Sequence, residues 1–125
     1  MSIKVGHNDV CSYILTRDAN ALFKFLADVF GAIEVHRWAR PQGTGMHLTL
    51  RIGDSVVMFG ERAGSHGLEA STHVYVSDVD ATFKRALECG GRALSQPMDF
   101  PYGDRSCGIE DPLGNTWWVG TPLAR

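Results

Sequence analysis

The chain has 125 residues, of which 44% are hydrophobic and 21% are charged, and its formal net charge at pH 7 is -2. This size is enough for one domain with a buried core, so we expect a single domain over residues 1–125. The sequence has no basic run and no apolar stretch of membrane-spanning length, so we expect neither nucleic acid nor membrane as a partner. Three cysteines and an N-terminal segment without an apolar core predict free thiols and a cytoplasmic location.

The first half of the chain predicts one β-α-β-β-β module over about residues 9–60. A β-rich run precedes Asp18, which can cap a helix, and Gly31 can end that helix. Apolar residues recur at helical spacing between them, at Leu22, Phe23, Leu26, Val29 and Phe30. Three runs that are typical of strands follow, at 33–39, 46–52 and 55–60.

The second half repeats this plan after a shift of about 60 residues and a polar, glycine-bearing linker at 61–70. The shift places Asp18 over Asp78, and it predicts a second module over about residues 71–122. The second helix is expected to turn four residues inward: Val79, Phe83, Ala86 and Leu87. Neither module can bury its helix and sheet face alone, so two modules must pack together, within one chain or across a dimer.

Two adjacent tryptophans follow a turn in the segment DPLGNTWWVG, residues 111–120. Pro112 and Gly114 suit a tight turn. Neighbouring residues of a strand point to opposite faces, so Trp117 and Trp118 must lie on different sides of the sheet. Strand parity predicts that Trp117 faces the helix layer and that Trp118 faces the concave side. There Trp118 either forms a wall of an apolar pocket or fills the cavity.

The duplicated module, a helix ending in Val-Phe-Gly-Ala and the final D-P-x-G-N-x-W turn together resemble the vicinal oxygen chelate superfamily. That family includes glyoxalase I, extradiol dioxygenases, and the bleomycin and fosfomycin resistance proteins. The segments HLTLRIGDSVVMFGE and PYGDRSCGIEDPLGNTWW are especially similar to its small bacterial branch. The resemblance implies an α+β fold in which two tandem βαβββ modules form a curved mixed sheet around a concave cavity, with the helices outside.

The resemblance also places the metal-ligand positions of the family, which correspond here to Cys11, Met58, Ser71 and Trp118. The family pattern has His, Glu or Gln at these positions, because divalent ions of this kind take imidazole and oxygen ligands. Cys11 could ligate a softer metal, but the other three residues do not complete a glyoxalase-type site. We therefore expect no metal site and no other cofactor.

Strand parity supplies the lining of the predicted pocket. The ligand-binding residues that we predict are Tyr13, His47, Met58, His73, Tyr75 and Trp118. Aromatic side chains with a few polar groups are typical of small-molecule sites. We predict metal-independent binding of a small, partly aromatic organic molecule, as in drug sequestration of the bleomycin-resistance type. We also expect a homodimer, because unpaired sheet edges and paired modules favour one.

An enzyme of glyoxalase, isomerase or dioxygenase type is the alternative. His47 and His73 are its catalytic candidates, either as acid–base groups or as metal ligands with Glu61 as a third. Both histidines can equally be ordinary strand residues. The 60-residue shift also places Cys107 opposite His47, which would allow a Cys–His nucleophile pair.

Two other features carry a functional and a structural interpretation. Arg105 could clamp a carboxylate or phosphate, but it could also pair with a nearby acid such as Asp99, and we favour the structural role. Trp38 and the Pro-Gly-rich loop at 40–45 could close over a pocket mouth, or form an exposed hairpin connection. A ligand sensor joined to a partner protein is a third hypothesis for the whole chain.

Overall fold

The computed structural model describes residues 9–39, 46–62 and 69–123. Its helices and strands follow the order β-α-β-β-β twice. They are β1 (Ser12–Thr16), α1 (Ala19–Phe30), β2 (Ile33–Ala39), β3 (Met46–Ile52), β4 (Ser55–Glu61), β5 (Ser71–Tyr75), α2 (Val79–Glu88), β6 (Arg92–Asp99), β7 (Asp104–Glu110) and β8 (Thr116–Pro122). The predicted α+β class and its two tandem modules are confirmed. The predicted loop at 40–45 and most of the predicted linker lie outside the described residues.

Both helices begin with the same capping interaction. Asp18 accepts a hydrogen bond from the backbone N–H of Ala21, and Asp78 accepts one from Ala81, which satisfies an otherwise unpaired helix N–H. Helix α1 ends at Gly31, whose φ of 70° is readily adopted only by glycine. These three boundaries were predicted from the sequence and are confirmed.

Each module forms its own four-stranded mixed sheet. The strand order is β1-β4-β3-β2 in the first sheet and β5-β8-β7-β6 in the second. β1 lies parallel to β4, β5 lies parallel to β8, and the other neighbours are antiparallel. The concave surface therefore consists of two faces, one on each sheet.

Apolar residues on one face of each sheet pack against the helices. Leu48 and Phe59 from the first sheet are fully buried with Leu22 and Leu26 of α1. The two modules meet through the helices, since α1 contacts α2 and the ring of Phe30 lies 5.5 Å from the ring of Trp117.

The prediction for the inner side of α2 was wrong at one position. Val79, Phe83 and Ala86 are buried, but Leu87 is 40% exposed. In the described part of the chain, no helix combines the length and apolar character needed to cross a membrane.

Candidate functional site

Each sheet has a second face, opposite its helix, which we call its open face. Strand alternation and pairing register assign residues to it. Open face one carries Tyr13, Trp38, His47, Thr49, Met58 and Gly60. Open face two carries Ser71, His73, Tyr75, Asp104, Ser106, Gly108, Trp118 and Gly120. All six predicted ligand-binding residues lie on these two faces, three on each.

Aromatic rings cover the centre of open face one. The hydroxyl end of Tyr13 lies over Gly60, and the Tyr13 ring is 5.8 Å from the ring of His47. Trp38 pairs in register with His47, and almost half of its surface is exposed. Trp38 therefore extends this face onto the edge strand. The sequence analysis omitted Trp38 from the ligand-binding set, although its alternation with Arg37 on a predicted strand could have placed it there.

The two adjacent tryptophans occupy opposite faces of the second sheet, as predicted. Trp117 is fully buried, and its indole N–H donates to Oδ2 of Asp111 at 2.8 Å. Trp118 lies on open face two and is 43% exposed. Its indole N–H donates to Oγ of Ser71 at 3.0 Å. A Cβ placed on Gly108 would be 2.6 Å from Cζ3 of Trp118, so this glycine leaves room for the indole ring.

His73 and Tyr75 continue open face two along β5. His73 pairs in register with Trp118, and its ring lies over Gly120. The rings of His73 and Tyr75 are 4.5 Å apart. The Tyr75 hydroxyl donates to Oδ2 of Asp104 at 2.9 Å, and this carboxylate raises the pKa of Tyr75. The two histidines of the alternative hypothesis thus lie on different sheets, His47 on β3 and His73 on β5.

The residues at the family's metal-ligand positions do not fit such a metal. The indole N–H of Trp118 is a donor with no lone pair for a metal, and it points to Ser71, whose neutral hydroxyl is not among the His, Cys and carboxylate ligands that such ions take. Among the described residues, no cluster of three or more His, Cys, Asp or Glu side chains could hold a metal ion. We derive no chemistry through a metal at these positions.

The structure corrects the hypothesis that Glu61 is a third metal ligand beside the histidines. Its Oε2 accepts a hydrogen bond from the backbone N–H of Ala19 at 2.9 Å, at the start of α1. Strand alternation places Glu61 on the helix side of β4 with Phe59, whereas His47 is on the open face. Glu61 therefore stabilises the first turn of α1 and does not join His47.

The predicted Cys107–His47 juxtaposition is also wrong. Cys107 pairs with Val119 on the helix side and is 1% exposed. Burial raises the pKa of its thiol to about 11, which disfavours the nucleophilic thiolate. The shift that matches Gly60 to Gly120 is 60 residues, but the shift that matches their partners His47 and Ser106 is 59 residues. The chain from Ser106 to Gly120 is therefore one residue longer than the chain from His47 to Gly60, which moves Cys107 to the other face.

Arg105 has the structural role that the sequence analysis favoured. Its guanidinium donates to both carboxylate oxygens of Asp80 at 2.9 and 3.0 Å, and to Asp99 at 3.1 Å. Asp80 belongs to the first turn of α2, and Asp99 ends β6. The guanidinium therefore joins α2 to the second sheet.

A cavity of about 690 Å³ separates the two modules at one end. It lies between the end of α1, the β3–β4 turn and the free edge of β5. His73 and Tyr75 border it, together with helix-side residues such as Phe30 and Val74. Tyr13, Met58 and Trp118 lie outside its lining, so most of the predicted pocket is on the open faces and not in this cavity.

A family model decides the relationship of the chain to known proteins. The model of the Glyoxalase/Bleomycin resistance protein/Dioxygenase superfamily matches residues 5–119. The chain belongs to this superfamily. An uncharacterized protein of Mycobacterium bovis is 30% identical to it over 123 residues, which span 89% of this chain and 81% of that relative.

Solved structures share the fold of this chain. TioX from Micromonospora sp. ML1 has a TM-score of 0.71 and 22% identity, over 93% of this chain and 97% of TioX. The fosfomycin resistance protein FosX from Listeria monocytogenes has a TM-score of 0.72 and 16% identity, over 91% of this chain and 92% of FosX. At these identities the likeness shows the arrangement of helices and strands, and it does not transfer an activity.

Proposed function

We propose that this superfamily member binds a small, partly aromatic organic molecule on its open faces, without a metal. The proposal rests on the exposure and the fixed position of the Trp118 indole. Its indole lies on the open face and is 43% exposed. A hydrogen bond to Ser71 fixes the ring, which lies over Gly108, where no side chain blocks it. A fixed, exposed aromatic surface with one polar neighbour favours stacking of a flat ligand.

The donor set supports binding without a metal. At the family's ligand positions Met58 and Trp118 offer a thioether and an indole N–H, which are poor ligands for a borderline divalent ion. The same two side chains are well suited to contact an aromatic ring. Sequestration of a drug or metabolite would require only this binding step.

In the expected homodimer, the two open faces would contact the same ligand. Tyr13 and Trp118 lie on separate sheets of one chain, and both sheets end in unpaired edge strands. Two copies related by a two-fold axis can bring open face one of each copy opposite open face two of the other. The large exposed side chains on both faces would then enclose a ligand between them.

Calorimetric titration of the purified chain with naphthylpropanol, a neutral aromatic probe, tests the proposal. We expect saturable binding that Trp118→Ala weakens by about tenfold or more, because large aromatic side chains dominate such contacts. Tyr102→Ala is the matched control, because it removes an exposed aromatic from the β6–β7 hairpin and should retain binding. Equal affinities of the two variants, or no binding by the unaltered chain, would overturn the proposal.

Metal content is measured on the same preparation after incubation with zinc, nickel, manganese or ferrous iron and desalting. We expect no retained ion, with naphthylpropanol affinity unchanged by a chelator. About one tightly held ion per chain would contradict metal-independent binding. It would favour the enzyme hypothesis, which His47→Ala and His73→Ala would then test by loss of the ion.

A further inference from the structure

Open face two carries a row of side chains at neighbouring strand positions, and this row ends in an acid. We define the aromatic–acid strip as Trp118, His73, Tyr75 and Asp104. His73 is in register with Trp118, its ring is 4.5 Å from that of Tyr75, and the Tyr75 hydroxyl reaches Asp104 at 2.9 Å. Asp104 pairs with Pro122 on β8, four residues beyond Trp118, so the strip is roughly 13 Å long at 3.3 Å per residue.

Asp104 differs from Glu110, Asp80 and Asp99, the acids of this module that pair with arginine. Arg92 holds Glu110 through two hydrogen bonds, and Arg105 holds both Asp80 and Asp99. Asp104 accepts from the Tyr75 hydroxyl, which carries no charge. Within residues 9–39, 46–62 and 69–123, no Lys or Arg side chain forms an ion pair with it. Its negative charge is therefore available to a ligand.

We propose that the ligand of this site is an aromatic organic cation. The aromatic part stacks on Trp118 and His73, and the cationic group lies between the ring of Tyr75 and the carboxylate of Asp104. A carboxylate forms strong charge-assisted hydrogen bonds with an ammonium group, and an aromatic face attracts the same cation. The inference rests on the proposed ligand-binding function and specifies the chemical class of its ligand.

Three probes of matched size separate the charge of the ligand from its aromatic ring. They are naphthylpropanol, naphthylpropylammonium and naphthylpropionate, whose three-carbon arm suits the length of the strip. We expect the ammonium probe to bind about tenfold more tightly than the alcohol, because one hydrogen bond to a charged group changes affinity by about this factor. The carboxylate probe should bind more weakly than the alcohol, since Asp104 repels it.

Two isosteric variants locate the preference. Asp104→Asn should reduce the preference for the ammonium probe to about twofold or less, because it weakens binding of the ammonium probe far more than binding of naphthylpropanol, whose stacking on Trp118 remains. Asp99→Asn is the matched control, because it removes the same charge from the helix side of the sheet, where Asp99 pairs with Arg105. In this control the preference for the ammonium probe over the alcohol should stay close to tenfold, with only a slight reduction from the change in net charge.

The outcomes distinguish this inference from the proposed function. Equal affinities for the alcohol and the ammonium probe, or a preference that survives Asp104→Asn, would overturn the cation assignment. In that case, binding of naphthylpropanol that depends on Trp118 would leave the proposed function standing. Failure of all three probes to bind would overturn both.

Discussion

Tyr13 lies over Gly60 in module one, and His73 lies over Gly120 at the matching place in module two. On the neighbouring strand, Met58 pairs with Tyr13 and Trp118 pairs with His73. The backbone positions are the same in both modules, and only the side chains on the open faces differ. The two modules therefore share the glycines that lie beneath the rings, and they differ in the side chains that a ligand would contact.

The turns between the last two strands differ more strongly. In module one, Gly53 and Asp54 connect β3 to β4, and both are exposed. In module two, a longer turn places Asp111 in the interior, where it accepts hydrogen bonds from the backbone of Leu113 and Asn115 and from the indole of Trp117. One module thus closes its hairpin with a short exposed turn, and the other closes it with a longer turn around a buried carboxylate.

The largest expected effect tests this difference between the turns. Asp111→Ala should lower the free energy of unfolding by about 3 kcal/mol or more, because it leaves several buried N–H donors without an acceptor. Asp54→Ala, the counterpart in the exposed turn, should change it by about 0.5 kcal/mol or less. Urea denaturation monitored by tryptophan fluorescence measures both values. Similar losses in the two variants would show that the buried network of Asp111 adds no stability.

Local chemistry made the framework predictable from the sequence. An aspartate just before the apolar helix positions, a glycine after the last, and alternation through Trp117 and Trp118 each have one favoured structural meaning. These assignments need no knowledge of distant contacts. The helix caps, the two modules and the faces of both tryptophans were therefore correct.

The errors arose where register depends on a turn. The β7–β8 hairpin contains one residue more than the β3–β4 hairpin between matched strand positions, and this turns Cys107 toward the helix. No periodicity within either strand reveals the additional residue. Glu61 was considered as a third metal ligand beside the histidines, but it lies at the end of β4, where the start of α1 offers it a backbone N–H. The separation of the predicted pocket onto two sheets depends on how the modules pack, which strand parity does not determine.

The second prediction uses the corrected register, in which Cys107 takes the helix-side position that Leu48 takes in module one. The folded-state pKa of about 11 exceeds the ordinary thiol value, so the protonated thiol favours the folded state. This contribution is present below about pH 9 and is lost as the pH rises through 11, by about 3 kcal/mol in total.

Urea denaturation between pH 7 and pH 11 measures this loss. Cys107→Ala should remove that part of the pH dependence, at the expense of a constant destabilisation from the small cavity. Cys89→Ala, at the half-buried end of α2, should retain the dependence of the unaltered chain. Parallel stability curves for all three proteins would contradict a thiol that is buried and protonated in the folded state.

The smallest expected effect compares the glycines beneath the two rings. In Gly108→Ala the new methyl group would meet the indole of Trp118, which Ser71 holds in place, whereas in Gly60→Ala it would meet the far end of the Tyr13 side chain, which is half exposed and can tilt away. We expect Gly108→Ala to destabilise the fold by about 1 kcal/mol, through overpacking, and Gly60→Ala to have almost no effect. Adding Trp118→Ala to Gly108→Ala should remove most of this cost, because the methyl group then meets only Oγ of Ser95, at 3.1 Å. A cost that persists in the double variant would place the strain in the strand itself, and Gly108 would not be the residue that sets the position of the indole.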